Sequence, residues 1–317
     1  MCSLAGFAGW FETFGQILSN FFFGRVKQGE TPGFPRFKGK DRFHCITYPQ
    51  SGFGITGSRI YLSGIGKVRL RVHRDIMKDA KVKTCTIKKS GNQWYCILGV
   101  EIANTSIPKK VVSSAVGIDL GLENFATLSN GEIISNPRHL RKSEERLKEI
   151  QCVYSIKKSK AKGRKLTKLH RKIVNQRNDF LHKQSRGLVN RFDLIAYEDL
   201  NIKGMSKRCR SVENEDGSFA PNGQSAKSGL NKSINDAAWG KFIAMVIYKV
   251  EDTGKYAVAI NPRNTSQICS NCGALEKKKL SQRVHNCSVC GYAVHRDLNS
   301  AHNILRLGTD LLKEGYA

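Results

Sequence analysis

Acidic residues are scarce in this chain. Against 53 Lys and Arg it sets only 26 Asp and Glu, which leaves a formal charge of +27 over 317 residues and a pI near 9.9. A surplus of that size exceeds what solubility requires and points to a polyanionic partner, with nucleic acid the first class to consider. An acidic membrane surface is the other such partner, but the basic residues are spread along the chain and do not stand beside an apolar anchor.

A clean secretory or membrane-spanning run is also missing. The least charged stretch, CSLAGFAGWFETFGQILSNFFFG, holds a single charged side chain, Glu12, in 23 positions. A signal peptide needs a basic start and a small-residue cleavage site, and a spanning helix tolerates neither a central Glu nor this much Gly, Ser and Asn. Trp10, Phe14, Ile17 and Phe21 recur at helical spacing, so a short amphipathic helix resting on the next domain is expected. A disulfide framework is absent too: Cys2, Cys45, Cys85, Cys96, Cys152 and Cys209 stand singly. Together these absences imply a reducing, intracellular compartment, the cytoplasm. The length predicts a sizeable core and two or three domains.

What is present changes character along the chain. TPGFPRFKGKDRF, from Thr31, cannot be helical and reads as an extended basic connector. GITGSRIYLSGIGKVRLRVHR then alternates apolar and polar residues, and KVKTCTIKKSGNQWYCILGVEI reads as a hairpin turning near Ser90 to Asn92. Residues 31–108 are therefore expected to form a small antiparallel barrel or sheet. Arg69, Arg71, Arg74, Lys81, Lys83, Lys88 and Lys89 make it a candidate surface for a phosphate backbone, the alternative being a purely structural β-domain.

A second pattern begins at Val111. VVSSAVGIDLGLENFATLSNGEIIS shows an apolar strand ending in Asp119, a glycine turn and two more short strands, the opening meander of an RNase H-like fold. Residues 138–191 hold 18 Lys and Arg against four acids on a helical pattern, with a gap near Ala161 to Gly163 that suggests a helix hairpin. A one-signed run of that length suits nucleic-acid contact better than simple solvation of a helix face. RFDLIAYEDLNIKGM delivers Glu198 at the end of an apolar strand, residues 209–231 have loop composition, DAAWGKFIAMVIYKVEDTG is an amphipathic helix and KYAVAINP another strand.

Cys269, Cys272, Cys287 and Cys290, spaced C-x2-C-x14-C-x2-C, make two knuckles whose thiolates close a tetrahedron, and four soft ligands select structural zinc. A complete set of four leaves no vacancy for His285 or His295. Asp297 follows at once in HRDLNSAHNILRL, which begins a helix with Leu298, Ala301, Ile304 and Leu305 as its buried face. Taken alone, Asp297 reads as a helix N-cap. It is not alone, because Asp119 and Glu198 end strands that neighbour each other in an RNase H-like sheet, and a final helix crosses beside them. Three carboxylates gathered in so basic a chain have little structural reason to meet unless Mg²⁺, bound as two ions, neutralises them for phosphodiester cleavage.

GIDLGLENFATLS with Asp119, AYEDLNIKGM with Glu198, and TSQICSNCG through CSVCGYAVHRDLNSAHNI with Asp297 resemble the three split RuvC motifs and the inserted zinc ribbon of the TnpB family. These are transposon-encoded proteins related to compact type V CRISPR effectors, and the likeness runs over about residues 18–306. The resemblance implies an α+β or α/β chain: a wedge-like, OB-like β-domain over 31–108, a RuvC domain over 109–262 with its basic hairpin, a zinc ribbon over 263–294, and a final RuvC segment over 295–317. It implies an RNA-guided, Mg²⁺-dependent DNA endonuclease of an insertion sequence, commonly labelled transposase, whose partners are a guide RNA from the transposon end and duplex target DNA. Asp119, Glu198 and Asp297 would inherit the magnesium and catalytic roles, and Cys269, Cys272, Cys287 and Cys290 the zinc. One departure stands out: the family opens with a wedge strand and a long helical recognition domain, whereas LSNFFFGRVKQGETPGFPRFKG, similar only to that domain's tail, arrives by residue 18. Residues 1–30 are read as its remnant. The departure carries the alternative reading, an RNA- or DNA-binding relic or RNA-guided repressor that does not cut; a transposase that joins DNA ends itself fits the ribbon-before-acid order less well.

Overall fold

The computed structural model describes residues 44–73, 75–76, 80–102, 107–279 and 281–315. The expected amphipathic helix around Trp10 to Phe21, the basic connector from Thr31 and Arg74 lie outside them. The chain divides between Ser106 and Ile107 into two compact units.

The first unit contains two antiparallel sheets of three strands. Strands β1 (Cys45–Pro49), β2 (Phe53–Thr56), β3 (Arg59–Leu62), β4 (Gly66–Arg69), β5 (Lys81–Ser90) and β6 (Gln93–Glu101) pair in the orders β1-β5-β6 and β2-β3-β4. The long hairpin turns through Gly91 and Asn92, with Ser90 opposite Gln93, and Gly91 supplies the positive φ of 59° that so short a loop demands. Alternation puts Tyr48, Ile60, Leu62 and Cys85 inside. Arg69, Arg71, Lys81, Lys88 and Lys89 are exposed, while Lys83 pairs with Glu101 at 2.8 Å.

The second unit is built on a five-stranded sheet in the order β11-β10-β7-β8-β9. Here β7 (Ala115–Leu120), β8 (Asn124–Leu128) and β9 (Ile133–Ser135) form the antiparallel meander. A helical segment follows: α1 (His139–Lys142), α2 (Glu144–Ile156) and α3 (Lys160–Arg191), then β10 (Leu194–Glu198) and α4 (Ile202–Met205). After these come α5 (Gln224–Ala237), α6 (Trp239–Glu251) and β11 (Tyr256–Ile260), and β10 and β11 run parallel to β7. This mixed sheet with helices on both faces is the RNase H-like architecture.

Strand periodicity decides what each face carries. In β7, Val116, Ile118 and Leu120 point into the larger core with Phe125, Leu181, Leu188, Trp239, Phe242 and Val246. Ala115, Gly117 and Asp119 belong to the other face. There Leu194 and Ala196 of β10, Val258 and Ile260 of β11 and Ile304 form a second core beneath the last helix, α7 (Arg296–Lys313). Burial on both faces is why β10 reads as the unbroken apolar run Leu-Ile-Ala-Tyr.

Three local expectations shift. The helix hairpin turns at 157–159, ahead of Gly163, because Ser159 caps α3 by accepting from the Lys162 amide at 3.3 Å. The loop composition of 209–231 does not hold to its end, since α5 begins at Gln224. That helix stops at Ala238, whose φ of 55° is left-handed, so Asp236 and Ala237 belong to α5 and α6 starts only at Trp239. Asp236 is a tertiary staple there, accepting from Arg177 at 2.6 Å and from the Leu140 amide at 3.0 Å. Among the described residues, no helix is long and apolar enough to cross a membrane.

Candidate metal centres at the sheet and the ribbon

The ribbon folds from two copies of one local device. In each, a Cys-x-x-Cys-Gly turn closes with a hydrogen bond from the glycine amide to the first cysteine's carbonyl, Gly273 to Cys269 at 2.9 Å and Gly291 to Cys287 at 3.0 Å. Both glycines are left-handed, with φ of 79° and 70°, which a side chain would resist. The short strands β12 (Val284–Asn286) and β13 (Ala293–His295) pair and lead into α7. All four sulfurs lie within 4.8 Å of one another, with Cys269 and Cys290 at 3.8 Å and Cys272 and Cys287 at 3.5 Å. A tetrahedron with metal–sulfur bonds of about 2.3 Å has edges of about 3.8 Å, so the four thiols fit a zinc ion. Asn271 donates to Cys290 Sγ, and with the Tyr292 amide it pulls that thiol down to about 6, while Cys272, despite the Ala274 backbone hydrogen bond, is pushed up to about 12 by the neighbouring thiols. His285 is fully buried against Lys278 and His295 starts α7; neither joins the sulfur cluster.

The three carboxylates come together by a different route. Gly117 and Asp119 share a face of β7, and α7 presses on that face so closely that a Cβ on Gly117 would stand 2.2 Å from the Ala301 carbonyl and 2.6 Å from the Leu305 amide nitrogen. Farther along, Gly308 fits over Ala196 of β10, where a Cβ would meet the alanine methyl at 2.4 Å. Two glycines, one in the strand and one in the helix, therefore let α7 cross both strands at contact distance. Asp119 lies one strand period beyond Gly117, and Asp297 lies one helical turn before Ala301. Glu198 follows Tyr197, which pairs with Ile118, so the next pair in that parallel register is Glu198 and Asp119. The site is at the C-terminal ends of parallel strands, where open α/β sheets place their ligands.

Electrostatics agree with that convergence. Burial pushes the Asp119 carboxyl well above the usual range, and the neighbouring Glu198 and Asp297 push it further, against the opposing pull of Arg296. Glu198 is also raised by burial, resisted by a hydrogen bond of 2.6 Å from Thr265 Oγ1. Asp297 is the second residue of α7 and not its N-cap: His295 holds that position, its Nδ1 accepting from the Asp297 amide at 3.3 Å. The Asp297 carboxylate is thereby spared capping and keeps Arg296 at 3.5 Å. Hard oxygen donors on one face, strained by mutual repulsion, suit a Mg²⁺-class cation. Unlike the thiols, they are not drawn within 4.8 Å of one another.

Three polar residues bind these two centres together, and the sequence pattern did not single them out. Asn299 accepts from the Ser270 amide at 2.9 Å and donates to the Ile268 carbonyl at 2.8 Å. Asn303 donates to the carbonyls of Thr265 at 2.9 Å and Ile268 at 2.7 Å. Both asparagines are buried on the inner face of α7, and Thr265 is buried as well. A pair of asparagines four apart on the apolar side of a helix was the available signal; nothing marks Thr265.

The model of a family described as "Probable transposase" matches residues 98–209, and that of "Cas12f1-like, TNB domain" matches 239–304, the stretch containing the ribbon and the start of α7. The chain is 34% identical over 289 residues to "Putative RNA-guided DNA endonuclease InsQ" of Escherichia coli K12, covering 89% of this chain and 70% of that protein. A protein of the same description from Streptomyces pristinaespiralis is 31% identical over 303 residues, covering 92% and 68%. The structure of a Cas12f1–sgRNA–target DNA complex aligns with a TM-score of 0.41 at 16% identity, over 92% of this chain and 77% of that one.

Proposed function

Since the chain belongs to the TnpB family of RNA-guided DNA endonucleases that InsQ represents, we propose that it cuts DNA at the C-terminal edge of the β7–β10 pair, with Asp119, Glu198 and Asp297 as the catalytic acids. The observation that carries this reading is the convergence on one sheet face of three carboxylates from separate segments: burial raises Asp119 and Glu198, and the charges of Glu198 and Asp297 raise Asp119 further. Those three side chains would hold divalent cations of the Mg²⁺ class, which supply an activated water and neutralise charge at the scissile phosphodiester. The chain's own part is to keep the carboxylates in place. The β7–β10 register sets Asp119 beside Glu198, and the glycine contacts of α7 bring up Asp297.

The ribbon cysteines Cys269, Cys272, Cys287 and Cys290 would carry zinc, which orders the segment leading into α7. For partners, a guide RNA and duplex DNA fit the charge. Lys160, Arg164, Lys165, Lys168, Lys172 and Arg186 are exposed along α3, a helix of 32 residues and so about 48 Å long. They offer a backbone-length track of phosphate partners. Such a protein works where DNA is, in the nucleoid.

Cleavage and binding measured side by side test the reading. Asp119→Ala, Glu198→Ala and Asp297→Ala should each bring Mg²⁺-dependent cleavage of a guide-matched DNA to background, with losses that do not add, while RNA binding stays near wild type. Cleavage that survives Asp297→Ala rejects the site. A wild-type chain that binds RNA yet never cuts, beside an active family member, selects the non-cutting binder.

A further inference from the structure

We infer that Thr265 is a positioning residue joining the ribbon to the acidic site: its hydroxyl holds Glu198 while its carbonyl is held by Asn303 of the helix that carries Asp297. The inference rests on the reading of the three acids as cation ligands.

Thr265 follows β11 and precedes the first cysteine knuckle, so it is the point at which the chain leaves the sheet for the ribbon. Its Oγ1 stands 2.6 Å from Glu198 Oε1 and 3.1 Å from the Pro262 carbonyl. One hydroxyl proton faces two acceptors, and the shorter contact, to an ionisable carboxylate, is the stronger. At 4% exposure the residue is shut off from water, so no solvent hydroxyl replaces it. On its other side the Thr265 carbonyl accepts from Asn303 Nδ2 at 2.9 Å, and Asn303 is six residues, or about 1.7 helical turns, from Asp297. A displacement of Thr265 therefore moves the Glu198 carboxylate directly and releases a buried amide that steadies α7. Outer-shell hydrogen bonds of this kind orient the carboxylates that grip a metal, and their loss typically weakens binding by about 10–100-fold.

A turn-forming threonine would make the same bond to Pro262 and do nothing for Glu198. The experiment separates the two using Mn²⁺ as a paramagnetic stand-in for Mg²⁺, with free Mn²⁺ read by electron paramagnetic resonance on the full chain and zinc measured in parallel. Thr265→Val keeps the shape and removes the hydroxyl; Thr265→Ser restores it. Mn²⁺ affinity should fall by about 10–100-fold in Thr265→Val with zinc content unchanged, and return in Thr265→Ser. Affinity at the wild-type level in Thr265→Val, or no recovery in Thr265→Ser at full zinc content, overturns the inference. If Thr265→Val does not fold, Thr265→Ala against Thr265→Ser decides on the same criteria. Asp119→Ala and Glu198→Ala serve as references: if they too bind Mn²⁺ like wild type, the carboxylate site itself is wrong, and that outcome is distinct from a silent threonine beside working acids.

Discussion

The cysteine centre and the carboxylate centre are only seven residues apart at their nearest, Cys290 and Asp297, yet they are assembled by opposite means. Each cysteine knuckle is made by five consecutive residues and closes on its own backbone hydrogen bond, so the four sulfurs meet through local turns and one short hairpin. The carboxylates come from positions 119, 198 and 297, and no contact among them favours their meeting; the sheet register and the packing of α7 over Gly117 and Ala196 hold them there. Thiols gathered by local turns are spaced to fit a metal, whereas the carboxylates are brought together by tertiary packing against their burial and charge. The ribbon is thus closed by its own local turns, and the acidic edge is held by the fold against its own charge.

Breaking the ribbon should have the largest effect on this contrast. Cys272→Ser or Cys290→Ser should drop zinc from one per chain to near zero and unfold the ribbon locally. Cleavage should fail with it, through Asn299, Asn303 and the start of α7, although every acid is intact; far-ultraviolet circular dichroism should still report the sheet unit. Metal analysis that finds no zinc in folded wild-type protein would remove the contrast altogether. A less drastic change comes from the sheet side. Gly117→Ala drives a methyl into the Ala301 carbonyl and the Leu305 amide, backbone atoms that cannot swing away, and should cost about 1–3 kcal/mol or more. It should retain zinc while losing cleavage, since α7 and Asp297 are lifted from the strand. Loss of zinc together with cleavage would mean that the two centres are one cooperative unit.

The smallest expected effect lies at the far end of the same two strands. Asp193, just before β10, accepts from Ser113 Oγ at 2.7 Å and Ser114 Oγ at 2.9 Å, residues just before β7. These donors, with the Ser113 amide and Lys255, hold its carboxyl well below the ordinary range. A depressed folded value means stability that is present above the unfolded carboxylate pKa of about 3.9 and lost as pH falls below it. Asp193→Asn should therefore lower the unfolding free energy at pH 7 by about 1–3 kcal/mol, with the variant and wild type drawing together as pH falls below the unfolded value and converging only once it passes the depressed folded value. Zinc content and the cleavage rate of the folded fraction should not change, because this staple holds the strands where neither centre lies.

Whatever depends on spacing was legible in the order of the residues. C-x2-C-x14-C-x2-C fixed the four-sulfur cluster, alternation fixed the β5–β6 hairpin and its turn at Gly91, and the apolar runs fixed β7, β10 and β11, with Asp119 and Glu198 near the ends of the first two. Charge pointed to a polyanion for the same reason: it is a sum over residues and needs no fold. That His295, and not Asp297, caps α7 emerges with the folded backbone, because a cap depends on where the chain turns and several neighbouring residues qualify by type. Likewise, Gly117 and Gly308 look like two glycines among 29 until a helix is laid across them. Thr265, Asn299 and Asn303 are ordinary polar residues whose meaning comes from burial, and burial is set by partners tens to hundreds of residues away.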